Sequence, residues 1–276
     1  SFLTKELDMS KWSDYFLADD GTKIYYFKWI PEKEITGIVL IAHGMAEHSE
    51  RYDDFANFLN KNSFAVFAND HRGHGKTAGS TDKVGFVSGE NGWEIMVKDF
   101  LKMKEEAKKQ CPAKPLFALG HSMGTFIIRD IALNNDEYFS GDLRGIILSG
   151  TGCGLGLMGQ IGKLIFKSEI SKRGADGKSR LLHDMSFGKY NKNFRPNRTE
   201  YDWLSSNNDN VNKYIEDPYC GSVFSASFFR DLAGGIEKVN NFKNIKSFNR
   251  DLPVLLISGE KDPVGNFTKG VKRVYR

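Results

Sequence analysis

Residues 120–124 form a Gly-x-Ser-x-Gly pattern with its serine at Ser122. An apolar run over 115–119 precedes the pattern and a largely apolar run over 125–133 follows it, so we expect a strand, a sharp turn and a helix. Glycines on both sides of the serine suit such a turn, because the neighbouring backbone leaves no room for a Cβ atom. The pattern therefore predicts a nucleophile elbow, whose chemistry is acyl transfer through a covalent serine intermediate.

A serine nucleophile needs a base and an acid to assist it, and the acid has a candidate near the end of the chain. Asp262 lies in a loop that follows the apolar run over 253–258. Because open α/β sheets hold their sites at the carboxyl ends of strands, we expect Asp262 to orient a histidine and to stabilise its charged form. Glu260, in the same loop, is the alternative acid.

The negative charge that develops on the substrate oxygen needs backbone donors, and a second loop can supply one of them. His43, Gly44 and Met45 directly follow a buried apolar run over 38–42. Such a site uses the N–H of the residue after the nucleophile, here Met123, and an N–H from a loop of this kind, for which we predict Met45. We expect His43 to brace the loop rather than to face the serine.

Short apolar runs alternate with helical patterns along the chain, which favours a mostly parallel, twisted sheet with helices on both faces. Two aromatic-rich runs flank the turn at Asp20 and Gly21 and predict an antiparallel hairpin at the start of the sheet. Further strands are predicted over 38–42, 64–68, 115–119, 145–149 and 253–258, and helices over about 50–61 and 91–109.

The stretch over 151–220 differs from the rest, because it is rich in Gly, Asn, Ser, Lys and Arg and has no buried-strand run. It predicts a cap inserted between the core segments 1–150 and 221–276. Apolar residues at helical spacing around 155–170 predict an amphipathic helix that packs on the core, with transient contact to a membrane or micelle as the alternative. The residues expected to bind substrate are Gly44 and His121 beside the serine, and Leu155, Leu157, Met158 and Ile161 in the cap.

Composition and charge exclude several classes of protein. The net charge of +4 is too small to indicate a nucleic-acid partner, and no basic stripe accompanies it. The three cysteines form no C-x-x-C pair, which favours a reduced, cytoplasmic setting. No apolar run approaches the roughly 18 residues needed to cross a bilayer. We therefore expect a cytoplasmic protein that needs no metal and no cofactor.

Three motifs together carry a resemblance to a known family: the serine elbow, the His-Gly-x-x-Glu-His block within 43–52, and the Asp-His-Arg-Gly-His-Gly sequence within 70–77. From about residue 12 to its end, the chain resembles the monoacylglycerol lipase and lysophospholipase group of α/β-hydrolases, which is also grouped with the S33 aminopeptidases. The resemblance implies Ser122 as the nucleophile and Asp262 as the triad acid. It also implies an acyl pocket shaped by the cap, and a monoacylglycerol or lysophospholipid as the ester substrate.

The chain departs from the family in its histidines. Triads of this fold run in the order serine, acid, histidine, yet every histidine here precedes Asp262. Of these, His121 is expected to point away from the serine, and His183 lies in the predicted cap. We therefore expect no triad histidine within this sequence, and a last strand, the catalytic histidine and a closing helix beyond Arg276. Without that base, the chain is expected to be inactive or weakly active.

Other interpretations of the sequence remain open. The segment 154–159 matches G-x-G-x-x-G, but the polar stretch after it lacks the second strand of a dinucleotide site. His71 and His74 form an H-x-x-H pair that could suggest a metal, although the glycine-rich loop around them favours a structural role. A hydrolase-like binding protein without catalysis, and a peptidase or another esterase of the same fold, are the alternative functions.

Overall fold

The computed structural model describes residues 11–134, 138, 141–154, 157–246 and 248–276, and over 157–161 it describes the helical backbone alone. In this part of the chain the strands form one sheet in the order β1-β2-β4-β3-β5-β6-β7. The strands are β1 (Lys11–Leu17), β2 (Lys23–Trp29), β3 (Gly37–Ala42), β4 (Phe64–Asn69), β5 (Leu116–His121), β6 (Leu143–Ser149) and β7 (Val254–Ile257).

The first two strands form the predicted antiparallel hairpin, and β2 also runs antiparallel to β4. All other neighbours, from β4 through β3, β5 and β6 to β7, are parallel. Every residue of β3 is buried, as its uninterrupted apolar sequence requires for a strand covered on both faces. The α/β architecture predicted from the alternating runs is confirmed.

Two apolar cores lie on opposite faces of this sheet. Ile38 and Leu40 of β3 belong to the larger core, whereas Val39 and Ile41 belong to the smaller one, because successive side chains of a strand point to opposite faces. The helices around the sheet are α1 (Asp53–Lys61), α2 (Gly92–Gln110), α3 (Met123–Leu133), α4 (Leu157–Arg173), α5 (Arg180–Phe187), α6 (Asn208–Glu216), α7 (Ala226–Val239), α8 (Phe242–Ile245) and α9 (Lys269–Tyr275).

Helices α4, α5 and α6 lie in the stretch predicted as the cap, and α4 packs against α7. The predicted helix is present as α4, and Phe166 is buried, but the apolar face was partly wrong, because Leu164, which was expected to pack on the core, is exposed over 76% of its surface. The bounds 151–220 for the cap stay a prediction. Among the described residues, no helix is both long and apolar enough to cross a membrane.

Strand β7 is paired on one side, by β6, within the described residues. Its apolar side chains are open to solvent, with Val254 41%, Leu255 51% and Ile257 50% exposed. Parallel strands are ordinarily covered on both faces, so this edge differs from the rest of the sheet.

Candidate active site

Ser122 lies between the end of β5 and the first residue of α3, as the elbow pattern predicts. Its backbone has φ 48° and ψ −114°, a conformation that side-chain-bearing residues rarely adopt. The turn is fixed by hydrogen bonds on both sides: the N–H of Ser122 donates to the carbonyl of Ser149 (2.9 Å), and the N–H of Thr125 donates to the carbonyl of Ser122 (3.0 Å).

The flanking glycines are required by close approach of the backbone. A Cβ atom at Gly124 would lie 1.9 Å from the carbonyl oxygen of Ala42, and one at Gly120 would lie 2.5 Å from the carbonyl oxygen of Gly124. Both distances are far below van der Waals contact. The sequence pattern therefore reflects how tightly α3 is seated on β3 and β5.

The loop after β3 lies against the serine. A Cβ atom at Gly44 would be 3.3 Å from the Cβ of Ser122, so only the absence of a side chain allows this approach. The N–H of Gly44 donates to Oε1 of Glu47 (2.6 Å), which also accepts from the hydroxyl of Tyr52 (2.9 Å). Arg51 pairs with the other oxygen of Glu47 at 3.3 Å. Glu47 thus fixes the loop that presents Met45, a function that our sequence reasoning missed although an acid three residues after the glycine was visible.

His43 braces this loop from beneath, as predicted. It is fully buried, its Nδ1 donates to the carbonyl of Gly44 (2.8 Å), and its Nε2 accepts from the N–H of His71 (3.0 Å). Burial lowers the pKa of His43 well below the usual value, with the nearby His71 and His74 adding to the effect. The ring is held neutral, which suits a structural role.

Asp262 lies after β7 and is oriented by its own loop. Its carboxylate accepts from the N–H of Val264 (2.8 Å) and from the hydroxyl of Ser258 (3.1 Å). A Cβ atom at Gly150 would lie 3.4 Å both from Oδ2 of Asp262 and from Cε1 of His121, so these two side chains flank the same glycine. Asp262, Glu260 and Ser122 all line one cavity.

Six histidines occur in the described residues, and none of them is hydrogen-bonded to Ser122 or Asp262. His48 pairs with Asp217 (2.7 Å), and Nδ1 of His121 lies 3.4 Å from the hydroxyl of Ser149. His121 and His183 line the cavity of Ser122, whereas the rings of His43, His71 and His74 are buried beneath the loops.

The H-x-x-H segment is an ordered loop. Asp70 accepts from the N–H groups of Ser49 (2.9 Å) and Lys76 (2.7 Å), and Nδ1 of His74 donates to the carbonyl of Arg72 (2.9 Å). Within the described residues, the one group of three metal-ligating side chains is His48, Asp217 and Cys220, whose ligand atoms lie within 4.8 Å of one another. The pair singled out in the sequence is not part of it.

The cavity over Ser122 has a volume of about 1450 Å³ and is walled by the core on one side and the cap on the other. Gly44, Met45, His121 and Met123 line it, so the structure brings these predicted site residues together. The side chains of Leu155, Leu157, Met158 and Ile161 lie outside the described residues, as does most of the glycine-rich segment 154–159.

An aromatic cluster in the cap, which the sequence reasoning missed, forms part of the wall. Tyr190 packs edge-on against Trp203 (4.9 Å between ring centroids), and Phe187 packs on His183 (5.1 Å). Burial raises the pKa of Tyr190 to about 12, and the charge of Asp262 adds to that rise. The spacing of four residues between His183 and Phe187 was the available signal, since it places these two side chains on one face of α5, whereas Trp203 is distant in sequence.

The loop after β3 is hydrogen-bonded to distant parts of the chain through the carbonyl oxygen of Ala46. The carbonyl oxygen of Ala46 accepts from the N–H of Gly221 (3.0 Å) and from the hydroxyl of Tyr214 (2.9 Å). Ala46 itself has a positive φ of 59°. The conformation of the loop that carries Met45 therefore depends on Tyr214, within the predicted cap, and on Gly221, directly after it.

Sequence comparisons relate the chain to known proteins. The family model described as serine aminopeptidase, S33 (Hydrolase_4) matches residues 33–276. Monoglyceride lipase of Mus musculus is 28% identical over 247 residues, which are 88% of this chain and 71% of that protein.

Two solved structures extend the likeness to the fold. A thermostable carboxyl esterase from Bacillus coagulans, in complex with glycerol, superposes with a TM-score of 0.86 at 26% identity, covering 97% of this chain and 85% of its own. A monoglyceride lipase from Saccharomyces cerevisiae superposes with a TM-score of 0.70 at 23% identity, covering 94% of this chain and 80% of its own, and supports the fold alone. The chain thus has the α/β-hydrolase fold and belongs to the serine aminopeptidase S33 family.

Proposed function

We propose that the chain hydrolyses carboxylic esters through an acyl intermediate on Ser122. The observation that carries the proposal is the strained backbone of Ser122, at φ 48° and ψ −114°, in the lining of a cavity between the core and the predicted cap. Strain of this kind persists where the surrounding structure holds a reactive group in place. Membership of a hydrolase family supports the same reaction class.

In the proposed reaction, the hydroxyl oxygen of Ser122 attacks the ester carbonyl carbon and its proton passes to a base. The backbone N–H groups of Met45 and Met123 donate to the tetrahedral oxyanion. Collapse expels the alcohol, which takes up a proton, and water then attacks the acyl-serine to release the carboxylic acid. Asp262 is assigned to orient the base and to stabilise its charged form, and none of the histidines in the described residues is hydrogen-bonded to it.

The proposed substrate class is a monoacylglycerol or a lysophospholipid. The cavity of about 1450 Å³ exceeds the roughly 300–1,000 Å³ of ordinary small-molecule sites, so it has room for an acyl chain and a polar head group. Its wall combines apolar side chains such as Phe166 and Ile236 with polar ones such as Arg51 and Tyr201. The likeness to a mouse monoglyceride lipase favours the glycerol ester of the two.

A non-catalytic binding protein and a peptidase are the competing functions; a labelling experiment tests the first of them and a substrate panel tests the second. We expect a fluorophosphonate probe, with imidazole added as the base, to label the chain at Ser122 and not to label the Ser122→Ala variant. Equal labelling of the two would refute the nucleophile. A panel of p-nitrophenyl esters, monoacylglycerols and peptides then identifies the substrate class.

Added imidazole tests whether Ser122 lacks a positioned base in the 276-residue chain. Because none of the six histidines is hydrogen-bonded to Ser122 in the described residues, a free imidazole can take the proton that a positioned ring would take. We expect it to speed acylation of the 276-residue chain at least about tenfold, part of the 10²–10⁴ that a positioned base contributes. Ser122→Ala should show no such gain, and an equal gain in both would contradict the assignment.

A further inference from the structure

A second cavity, of about 800 Å³, lies between α4 and α7. We call it the α4–α7 groove. Its volume falls within the roughly 300–1,000 Å³ typical of small-molecule sites. Phe166 and Ile170 contribute from α4, and Ala233 and Gly234 from α7.

The floor of the groove is apolar and has free space at one glycine. Gly234 lies within α7, and a Cβ atom placed on it would have no neighbour within 4 Å. Glycine in a helix interior costs stability relative to alanine, so a packed helix position would ordinarily carry a side chain. Here the missing side chain widens the groove.

The rim of the groove is basic. Lys163 and Lys167 stand one helical turn apart on α4, and both line the groove. Lys163 pairs with Glu237 across the groove at 3.0 Å, whereas no carboxylate among the described residues pairs with Lys167. Arg230 is already engaged, donating to Asp231 (2.7 Å) and to the carbonyl of Gly89 (2.8 Å). Lys167 is therefore the cation that an incoming anion would meet.

The groove adjoins the cavity of Ser122. Phe166 and Ala233 line both spaces, so a single layer of side chains separates them. Phe166 is buried, with 9% of its surface exposed. An apolar floor, a basic rim at Lys167 and a wall shared with the cavity of Ser122 suit a ligand that has a hydrocarbon chain and one negative charge.

We propose that the α4–α7 groove binds a long-chain fatty carboxylate, with the chain along Phe166, Ile170 and Gly234 and the carboxylate at Lys167. The choice of ligand rests on the proposed function, because a fatty carboxylate is the product released from the acyl-serine. The groove then holds product outside the ester cavity.

Titration of the full chain with cis-parinaric acid, whose fluorescence rises in apolar sites, tests the proposal. We expect two sites per chain in the unmodified protein and one in Gly234→Leu, whose side chain fills the floor. Gly234→Ala is the matched control, because a methyl group leaves most of the groove open and should keep both sites. Two sites in Gly234→Leu would overturn the proposal.

The charge is tested separately on α4. Lys167→Glu should weaken the groove site at least tenfold for the acid and leave binding of the uncharged parinaryl alcohol unchanged. Lys172→Glu makes the same charge change on the same helix outside the groove and should weaken neither. Equal weakening by both variants would overturn the role of Lys167. Parinaric acid is not hydrolysed, so these binding results do not depend on catalysis. Failure of the proposed function would instead show as equal fluorophosphonate labelling of the unmodified chain and the Ser122→Ala variant.

Discussion

Two histidines of the loop after β4 are buried without full hydrogen bonding. Within the described structure, both ring nitrogens of His71 and Nε2 of His74 have no hydrogen-bond partner. Burial lowers the pKa of His71 to about 3 and that of His74 to about 4. Both rings are neutral in the folded protein, whereas in the unfolded chain they take up a proton near pH 6.5.

The folded state should therefore lose stability as the pH falls from about 6.5 towards 4. In that range the unfolded chain binds more protons than the folded one, so the free energy of unfolding rises with pH. We expect His74→Gln to reduce this slope by about one proton, or about 1.4 kcal/mol per pH unit. Urea unfolding of both proteins at pH 4.5, 5.5 and 7.5 measures the slope, and identical slopes would show that His74 does not titrate on unfolding.

At the scale of the elements, the site depends on how closely α3 sits on the sheet. A Cβ atom at residue 124 would lie 1.9 Å from the carbonyl oxygen of Ala42. Because this oxygen belongs to the backbone, no change of side-chain rotamer can relieve the clash. Gly234, within α7, has no such neighbour. A substitution to alanine would therefore create a clash with the backbone at Gly124 and no clash at Gly234.

We expect Gly124→Ala to lower the free energy of unfolding by about 3 kcal/mol or more, because α3 must move away from β3. Gly234→Ala should raise it by up to about 1 kcal/mol through helix propensity alone. Urea denaturation midpoints measure both. A Gly124→Ala variant as stable as the original protein would show that the contact between α3 and β3 is loose.

The elements of the core were predictable because each strand is a short apolar run between turn residues. Strands β3, β5 and β6 begin and end within about two residues of the prediction. The helix expected over about 50–61 instead starts as a 3₁₀ turn at Ser49–Tyr52 before α1, and Asp70, which is distant in sequence, accepts from the N–H of Ser49. A contact of that kind leaves no local signal.

The positions of the candidate site residues were predictable where a sequence motif constrains the backbone. The contacts that the predicted cap adds to the cavity were not. Ser122 follows β5 directly, and Gly44 and Asp262 lie in the loops after β3 and β7, so their places at the carboxyl edge of the sheet could be inferred. The bond from Tyr214 to the carbonyl of Ala46 joins positions 168 residues apart, and polar cap sequences gave no pattern for it. The walls of the cavity therefore required the three-dimensional structure.

At the scale of the whole molecule, the described structure leaves the apolar face and one edge of β7 exposed. Its second edge has unpaired backbone groups in the described structure, and half of the surface of Leu255 is open, at 51%. An apolar strand edge is a template for pairing with another chain. The net charge of +4 provides little repulsion against such contact.

We expect the 276-residue chain to self-associate with rising concentration and Leu255→Lys to suppress this association, since a lysine at an edge blocks strand pairing. Leu164→Lys, at a leucine of α4 that is 76% exposed, is the matched control and should leave association unchanged. Sedimentation velocity over a concentration series measures both. Association that responds equally to the two variants would assign it to general surface hydrophobicity.

The backbone conformation of Ser122 affects the thermal stability of the molecule. Its φ of 48° with ψ of −114° suits glycine far better than serine, and holding a serine there costs roughly 1–3 kcal/mol of folding free energy. A glycine at this position would relieve that cost and remove the hydroxyl in the same step. Ser122 therefore lowers the folding stability while it supplies the hydroxyl of the proposed reaction. A selection for thermal resistance alone would favour glycine at this position, and the resulting protein would be inactive.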